Sequence, residues 1–176
     1  MNCENSHSSN APSSYDTCCP NLMDASNKDK VVPEGTENEY NPEDEQNQKE
    51  ELYAAAYFLF KYKQYSKACR IFSILCQIDP HDARFYRGIG ACWEKQGALE
   101  KAARAYKYAS LMRITDAMLS FQYAFCLVRL GQYDEAAFPL QMTIANAAIN
   151  PKHKALESKA KALIAYIERC KGDKNE

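Results

Sequence analysis

Long apolar stretches are absent from this chain. The longest apolar run, Leu52 to Phe60, has nine residues, whereas a helix needs about 20 to cross a bilayer. The first five residues contain no basic group and no apolar stretch follows them, so we expect no secretory signal. Six glycines and seven prolines in 176 residues are too few for a collagen-like or low-complexity chain.

Signals for metal sites, disulfides and catalysis are also scarce. The three histidines are scattered, and no Cys-x-x-Cys occurs among the eight cysteines. No glycine-rich phosphate loop or nucleophile elbow appears, and Gly88-Ile89-Gly90 is typical of helix packing. We therefore predict no enzyme, no metal and no cofactor. In a reducing cytoplasm, thiols in apolar periodic segments behave as small hydrophobes; these are Cys69, Cys76, Cys92 and Cys126.

Charge and aromatic residues are unevenly distributed. Residues 1–48 hold ten acidic and two basic side chains, a net charge of −8, whereas residues 49–176 have a net charge of +7. Eighteen of the 20 aromatic residues follow position 48. We therefore expect residues 1–40 to form a disordered acidic tail. The basic residues form no dense stripe, which argues against nucleic-acid binding.

From residue 49 the sequence repeats with a period of 34. This period is typical of the tetratricopeptide repeat (TPR), a helix-turn-helix unit that stacks into a solenoid. Small residues at matching positions suit the close approach of two helices, and larger apolar residues suit the space between them. The matching sets include Ala56, Gly90 and Ala124; Ala68, Ala102 and Ala136; and Phe72, Tyr106 and Leu140.

The period defines the predicted organisation. We expect an all-α, right-handed helical solenoid of three repeats, residues 49–82, 83–116 and 117–150, with an N-terminal helical extension starting near Asn41 and Pro42. A C-terminal helix, residues 152–171, would cap the last repeat. The folded domain is then 41–172, and residues 173–176 form a short tail. Pro139 should kink the second helix of repeat three or delay its start.

The first helix of each repeat should line a concave groove. Repeat positions 2, 5, 9, 12 and 13 normally face it, which predicts aromatic patches at both ends and a charged middle, a pattern that indicates a binding surface. Interior packing is the alternative interpretation for the aromatic members, above all Phe60 and Val128. The predicted groove residues are Glu50, Tyr53, Tyr57, Phe60, Lys61, Arg84, Arg87, Ala91, Glu94, Lys95, Met118, Phe121, Phe125, Val128 and Arg129.

Three segments resemble one TPR family, the class II chaperones of bacterial type III secretion, which serve the translocator subunits. Residues 52–57, Leu-Tyr-Ala-Ala-Ala-Tyr, resemble the family's first repeat helix. Residues 82–92, Asp-Ala-Arg-Phe-Tyr-Arg-Gly-Ile-Gly-Ala-Cys, are the most distinctive match, and residues 121–133 are similar to the third repeat. The resemblance covers about residues 45–150 and leaves out the acidic tail.

The resemblance implies a function. Such chaperones hold pore-forming translocators soluble and secretion-competent in the bacterial cytoplasm, with an extended client segment in the groove. Tyr53, Tyr57 and Tyr65 match aromatic groove residues of the family. The resemblance also implies a homodimer formed through roughly residues 41–62, with neither nucleic acid nor direct membrane insertion involved.

Two other interpretations compete with this one. A TPR adaptor for the acidic C-terminus of a heat-shock chaperone needs a clamp of Lys, Asn and Arg, but the corresponding positions are Tyr53, Tyr57, Gly88, Met118 and Gln122. A scaffold that joins folded protein partners is compatible with the sequence and stays open as the alternative function.

Overall fold

The computed structural model describes residues 42–172. The predicted acidic tail, the expected cap Asn41 and residues 173–176 lie outside this range. The described chain folds into seven α-helices: α1 (Pro42–Lys61), α2 (Tyr65–Ile78), α3 (Ala83–Lys95), α4 (Leu99–Met112), α5 (Ala117–Arg129), α6 (Tyr133–Ile149) and α7 (Lys154–Gly172). A 3₁₀ turn, Pro151–His153, precedes α7. Residues 42–172 contain no β-strand, which confirms the all-α fold class.

Each helix packs against the next one along the chain, so α1–α2, α3–α4 and α5–α6 form three stacked TPR pairs. α1 runs unbroken from the extension into the first repeat. α7 packs against α5 and α6 and covers the last repeat. Its apolar side buries Leu156, Ala160 and Ile167. No helix within residues 42–172 is long and apolar enough to cross a membrane.

Small residues allow the paired helices to approach closely. Ala68, Ala102 and Ala136, one on each second helix, have no exposed surface. A Cβ atom on Gly90 of α3 would lie 2.8 Å from the ring of Tyr106 on α4, closer than real Cβ contacts allow. The repeat-period columns therefore mark the interior of the stack.

The turns and helix starts follow the same period. The turns inside the three repeats place Lys63, Gly97 and Gly131 in the left-handed region, with φ angles of 62°, 80° and 74°. This conformation is strained for a residue that has a Cβ atom, which explains glycine in two of the three copies. Asp82 and Asp116 cap α3 and α5 by accepting hydrogen bonds from main-chain N–H groups.

Two predictions about individual residues need correction. Of the two effects predicted for Pro139, a delayed start of α6 is wrong, because the helix begins at Tyr133 and continues through the buried proline. The Pro139 carbonyl also accepts a hydrogen bond of 2.8 Å from the Thr143 hydroxyl. Cys76, near the end of α2, is only half-buried and interacts with Tyr86. The other three predicted core thiols are buried: Cys69, Cys92 and Cys126.

Candidate peptide-binding groove

Three residues, each four positions apart, lie on one face of each first helix. We call these nine residues, on α1, α3 and α5, the groove face. Residues four apart share a face of an α-helix, and the same face recurs every 34 residues. The groove face consists of Tyr53, Tyr57 and Lys61 on α1; Arg87, Ala91 and Lys95 on α3; and Phe121, Phe125 and Arg129 on α5.

On α1, the two tyrosines are in different environments. Tyr57 is 59% exposed and presents a free aromatic surface. Tyr53 is half-buried, and its ring centroid lies 5.8 Å from that of Phe72 and 6.0 Å from that of Phe85. Both of these phenylalanines belong to the core. For Tyr53 the structure therefore favours the alternative interpretation, interior packing, because this ring packs against α2 and α3.

Three other residues predicted to line the groove pack within the protein instead. Val128 is 8% exposed and packs in the core with Leu127, Leu140 and Ile167, so it is not a groove residue. The rings of Phe60 and Tyr65 lie 5.3 Å apart in an edge-to-face contact at the turn between α1 and α2. This contact fixes the turn and leaves both rings half-buried.

Arg84 links the first two repeats. Its guanidinium donates hydrogen bonds of 2.7 and 3.2 Å to the two carboxylate oxygens of Glu50, one repeat earlier. Its Nε donates to Asp82 at 2.8 Å. The same guanidinium lies 5.0 Å from the centroid of the Tyr53 ring. Arg84 is therefore engaged within the protein, and the expectation that it contacts a peptide directly is not supported by its geometry.

The contacts of Arg84 change the ionisation of its partners. The hydrogen bond from Arg84 lowers the pKa of Glu50. Burial would raise the pKa of Asp82, but hydrogen bonds from the side chain and the main chain of Arg84 outweigh burial and lower it. Both carboxylates thus remain ionised to a lower pH than usual, so the link between α1 and α3 persists into mildly acidic solution.

The third-repeat end of the groove face is a stacked column. The rings of Phe121 and Phe125 lie 6.2 Å apart and nearly parallel, at 15°. The Arg129 guanidinium carbon lies 5.8 Å from the centroid of the Phe125 ring. Met118, one turn before Phe121, is 39% exposed. This column gives an apolar surface that ends in a cation.

The middle of the groove face is small and polar. Ala91 occupies the same repeat position on α3 as Tyr57 on α1 and Phe125 on α5. At this position α3 therefore has a small side chain where the other two first helices have a ring. One turn further, the Glu94 carboxylate accepts a hydrogen bond of 2.9 Å from the Tyr106 hydroxyl. Gln122 of α5 donates to the same hydroxyl at 3.4 Å. Burial, followed by the neighbouring Glu94 charge, raises the pKa of Tyr106.

Sequence reasoning misses this network of Glu94, Tyr106 and Gln122. It places Tyr106 only in the interior column, because the 34-residue period identifies its position but not the direction of its hydroxyl. A signal does exist, since a buried tyrosine needs a hydrogen-bond partner and the register places Glu94 and Gln122 on the adjoining helices.

These features define a class of protein. Aromatic surfaces at both ends of a helical-repeat face, separated by a small residue, suit an extended peptide with spaced apolar side chains. Within residues 42–172, no group of three His, Cys, Asp or Glu side chains is placed to hold a metal ion. The fold and the site are those of a peptide-binding TPR protein.

Comparison with known proteins gives the family. No family model matches the chain. The low calcium response locus protein H of Yersinia pseudotuberculosis is 30% identical over 127 residues, which are 72% of this chain and 76% of that protein. The chain therefore belongs to the family of this protein, the translocator chaperones of type III secretion.

Two solved structures show the same relationship. PcrH, crystallised in complex with the chaperone binding region of PopD, has 33% sequence identity and a TM-score of 0.68 over 72% of this chain and 95% of that chain. The translocator chaperone SycD of Yersinia enterocolitica, in a structure described as an alternative dimer, has 29% identity and a TM-score of 0.66 over 71% of this chain and 95% of that chain.

Proposed function

We propose that this protein is a type III secretion chaperone that binds pore-forming translocator proteins through an extended segment laid along the groove face. The observation that carries the proposal is the placement of exposed Tyr57 and the Phe121–Phe125 stack at equivalent positions on the outer two of the three first helices. PcrH, whose fold this chain shares, holds the chaperone binding region of a translocator.

The chemistry of the groove face suits this task. Aromatic rings bury a large apolar area and lose little side-chain entropy when they become fixed. An extended segment repeats every two residues, so spaced pockets can recognise alternate side chains. The proposed apolar contacts with the client are made by five residues, Tyr57, Ala91, Met118, Phe121 and Phe125. The charged residues of the groove face flank these contacts. The protein acts by binding in the bacterial cytoplasm and catalyses no reaction.

The outer side of α1 is proposed as the homodimer interface. Phe58 and Tyr62 are 59% and 61% exposed, and their ring centroids lie 4.4 Å apart. Among the described helices, α1 is the first of the stack, so no preceding repeat covers this side. A second copy of the protein packed on this side would bury both rings. The two rings lie within residues 41–62, the region predicted from the sequence for the homodimer interface. Phe58→Glu together with Tyr62→Glu should then shift the protein to a monomer in light-scattering measurements.

Co-purification tests the function most simply. The protein is isolated from its own bacterium with an affinity tag, and the bound proteins are identified by mass spectrometry. Translocators with membrane-seeking segments are expected, and Tyr57→Ser should reduce their recovery. Recovery of folded, soluble partners alone, independent of Tyr57, would favour the scaffold function instead.

A further inference from the structure

The C-terminal ends of the three first helices carry one cation each. Lys61, Lys95 and Arg129 are the last residues of α1, α3 and α5, and all three are exposed. We call these three residues the basic edge. The turns that follow add a fourth basic residue, Lys63, and segments 61–64, 95–98 and 129–132 contain no acidic residue.

Within residues 42–172, the cations of the basic edge are not paired with carboxylates, in contrast to four other cations of the protein. Lys49, Arg84, Lys161 and Lys171 each form an ion pair with a carboxylate. In the part of the chain that the structure describes, no carboxylate forms an ion pair with Lys61, Lys95 or Arg129. The helix dipole favours a cation at each of these positions. This interaction leaves most of the hydrogen-bond donors of these side chains available.

The basic edge adjoins the apolar part of the groove face. Arg129 lies 5.8 Å from the Phe125 ring, and Lys61 and Lys95 follow Tyr57 and Ala91 by one helical turn. A segment that covers the rings therefore brings its neighbouring side chains to the cations. On the opposite edge, the carboxylates of Asp82 and Asp116 cap their own helices.

We propose that the basic edge binds acidic side chains of the extended client segment and thereby fixes its lateral position in the groove. The proposal rests on the proposed function and adds the chemistry of the client. An extended chain rises about 3.3 Å per residue, so a segment that crosses the three first helices can present acidic side chains to successive cations, next to the apolar anchors.

Peptide selection tests this even before any client has been identified. A displayed library of random 16-residue peptides is selected against three proteins. These are the wild type; a triple variant with Lys61→Gln, Lys95→Gln and Arg129→Gln; and a control that removes three exposed cations from the second helices. The control changes are Lys67→Gln, Arg70→Gln and Arg104→Gln. Circular dichroism confirms that each protein is folded.

The wild type and the control should enrich apolar residues together with Asp and Glu, whereas the triple variant should enrich apolar residues alone. A selected peptide with its acids changed to amides should bind the wild type about fivefold more weakly at low salt, and this difference should shrink at high salt. The proposal would be overturned if the wild type enriched no acidic residues. It would also be overturned if the control lost the acidic enrichment as completely as the triple variant does. Dependence on a free C-terminal carboxylate alone would also overturn it.

The two proposals fail in different ways. Absence of apolar enrichment with the wild type contradicts the proposed function of the groove face. Absence of acidic enrichment, with apolar enrichment retained, contradicts only the role of the basic edge.

Discussion

Arg84 forms a bidentate ion pair with Glu50, which lies one repeat earlier, with N–O distances of 2.7 and 3.2 Å. The pair joins α3 to α1, whose only fully buried side chain within residues 43–61 is Ala56. The placement of the first helix, and of Tyr57 on it, therefore depends on a polar contact as well as on apolar packing.

The link predicts a specific pH dependence. The pKa values of Glu50 and Asp82 are lowered in the folded protein. Their interactions thus stabilise the fold above the ordinary pKa values, 4.5 and 3.8, and are lost as the pH falls through the lowered values. Thermal melts at pH 7 and pH 3 should show a larger drop for the wild type than for Arg84→Gln. Equal drops in both proteins would contradict the link.

The left-handed turn positions predict opposite effects for two substitutions. Lys63 has a φ of 62° where the next two repeats have glycine. Lys63→Gly should relieve about 1–2 kcal/mol of strain, offset by about 0.4–1 kcal/mol of extra entropy in the unfolded chain, so a net gain of up to about 1.6 kcal/mol is expected. Gly97→Ala should cost about 1 kcal/mol, although no atom lies within 4 Å of the added Cβ. Urea denaturation measures both, and the same sign for the two changes would refute the strain argument.

The interior column predicts the cost of overpacking. Ala102 has no exposed surface and lies on the inner side of α4. Ala102→Leu should lower the free energy of unfolding by about 1–3 kcal/mol. Ala137→Leu is the matched control, because Ala137 is exposed on α6 and its substitution should change the stability by less than about 0.5 kcal/mol. Similar values for the two would show that the repeat register is wrong.

The 34-residue period makes the fold predictable, because Ala68, Ala102 and Ala136 can repeat only if the same helix contact repeats. It places the first helices correctly and identifies Tyr57 as a surface aromatic, whereas Phe121 and Phe125 are half-buried. It cannot separate Tyr53 from Tyr57, since packing on Phe72 and Phe85 depends on how α1 rests on its neighbours. Periodicity likewise assigns positions to Arg84 and Glu94, but hydrogen bonds such as those to Glu50 and Tyr106 depend on side-chain direction.

Tyr53 and Tyr57 have different predicted effects. Replacing Tyr53 by Ala should lower the stability by about 2–4 kcal/mol, because the ring packs on Phe72 and Phe85. Replacing Tyr57 by Ser should leave the melting temperature nearly unchanged, since its ring is 59% exposed. Differential scanning calorimetry of the two variants tests this, and an equal loss in both would place Tyr57 in the core.

The most direct measurement of the groove assignment is the affinity for a translocator segment. A labelled peptide of the PopD chaperone binding region, the ligand in the PcrH structure, is titrated by fluorescence anisotropy against the wild type, Tyr57→Ser and Phe138→Ser. Phe138 is 71% exposed on α6 and serves as the control. We expect binding to the wild type and the control, and an affinity about 30-fold lower for Tyr57→Ser, because an aromatic anchor contributes about 2 kcal/mol. Equal affinity for all three proteins, or no binding to the wild type, would contradict the groove assignment.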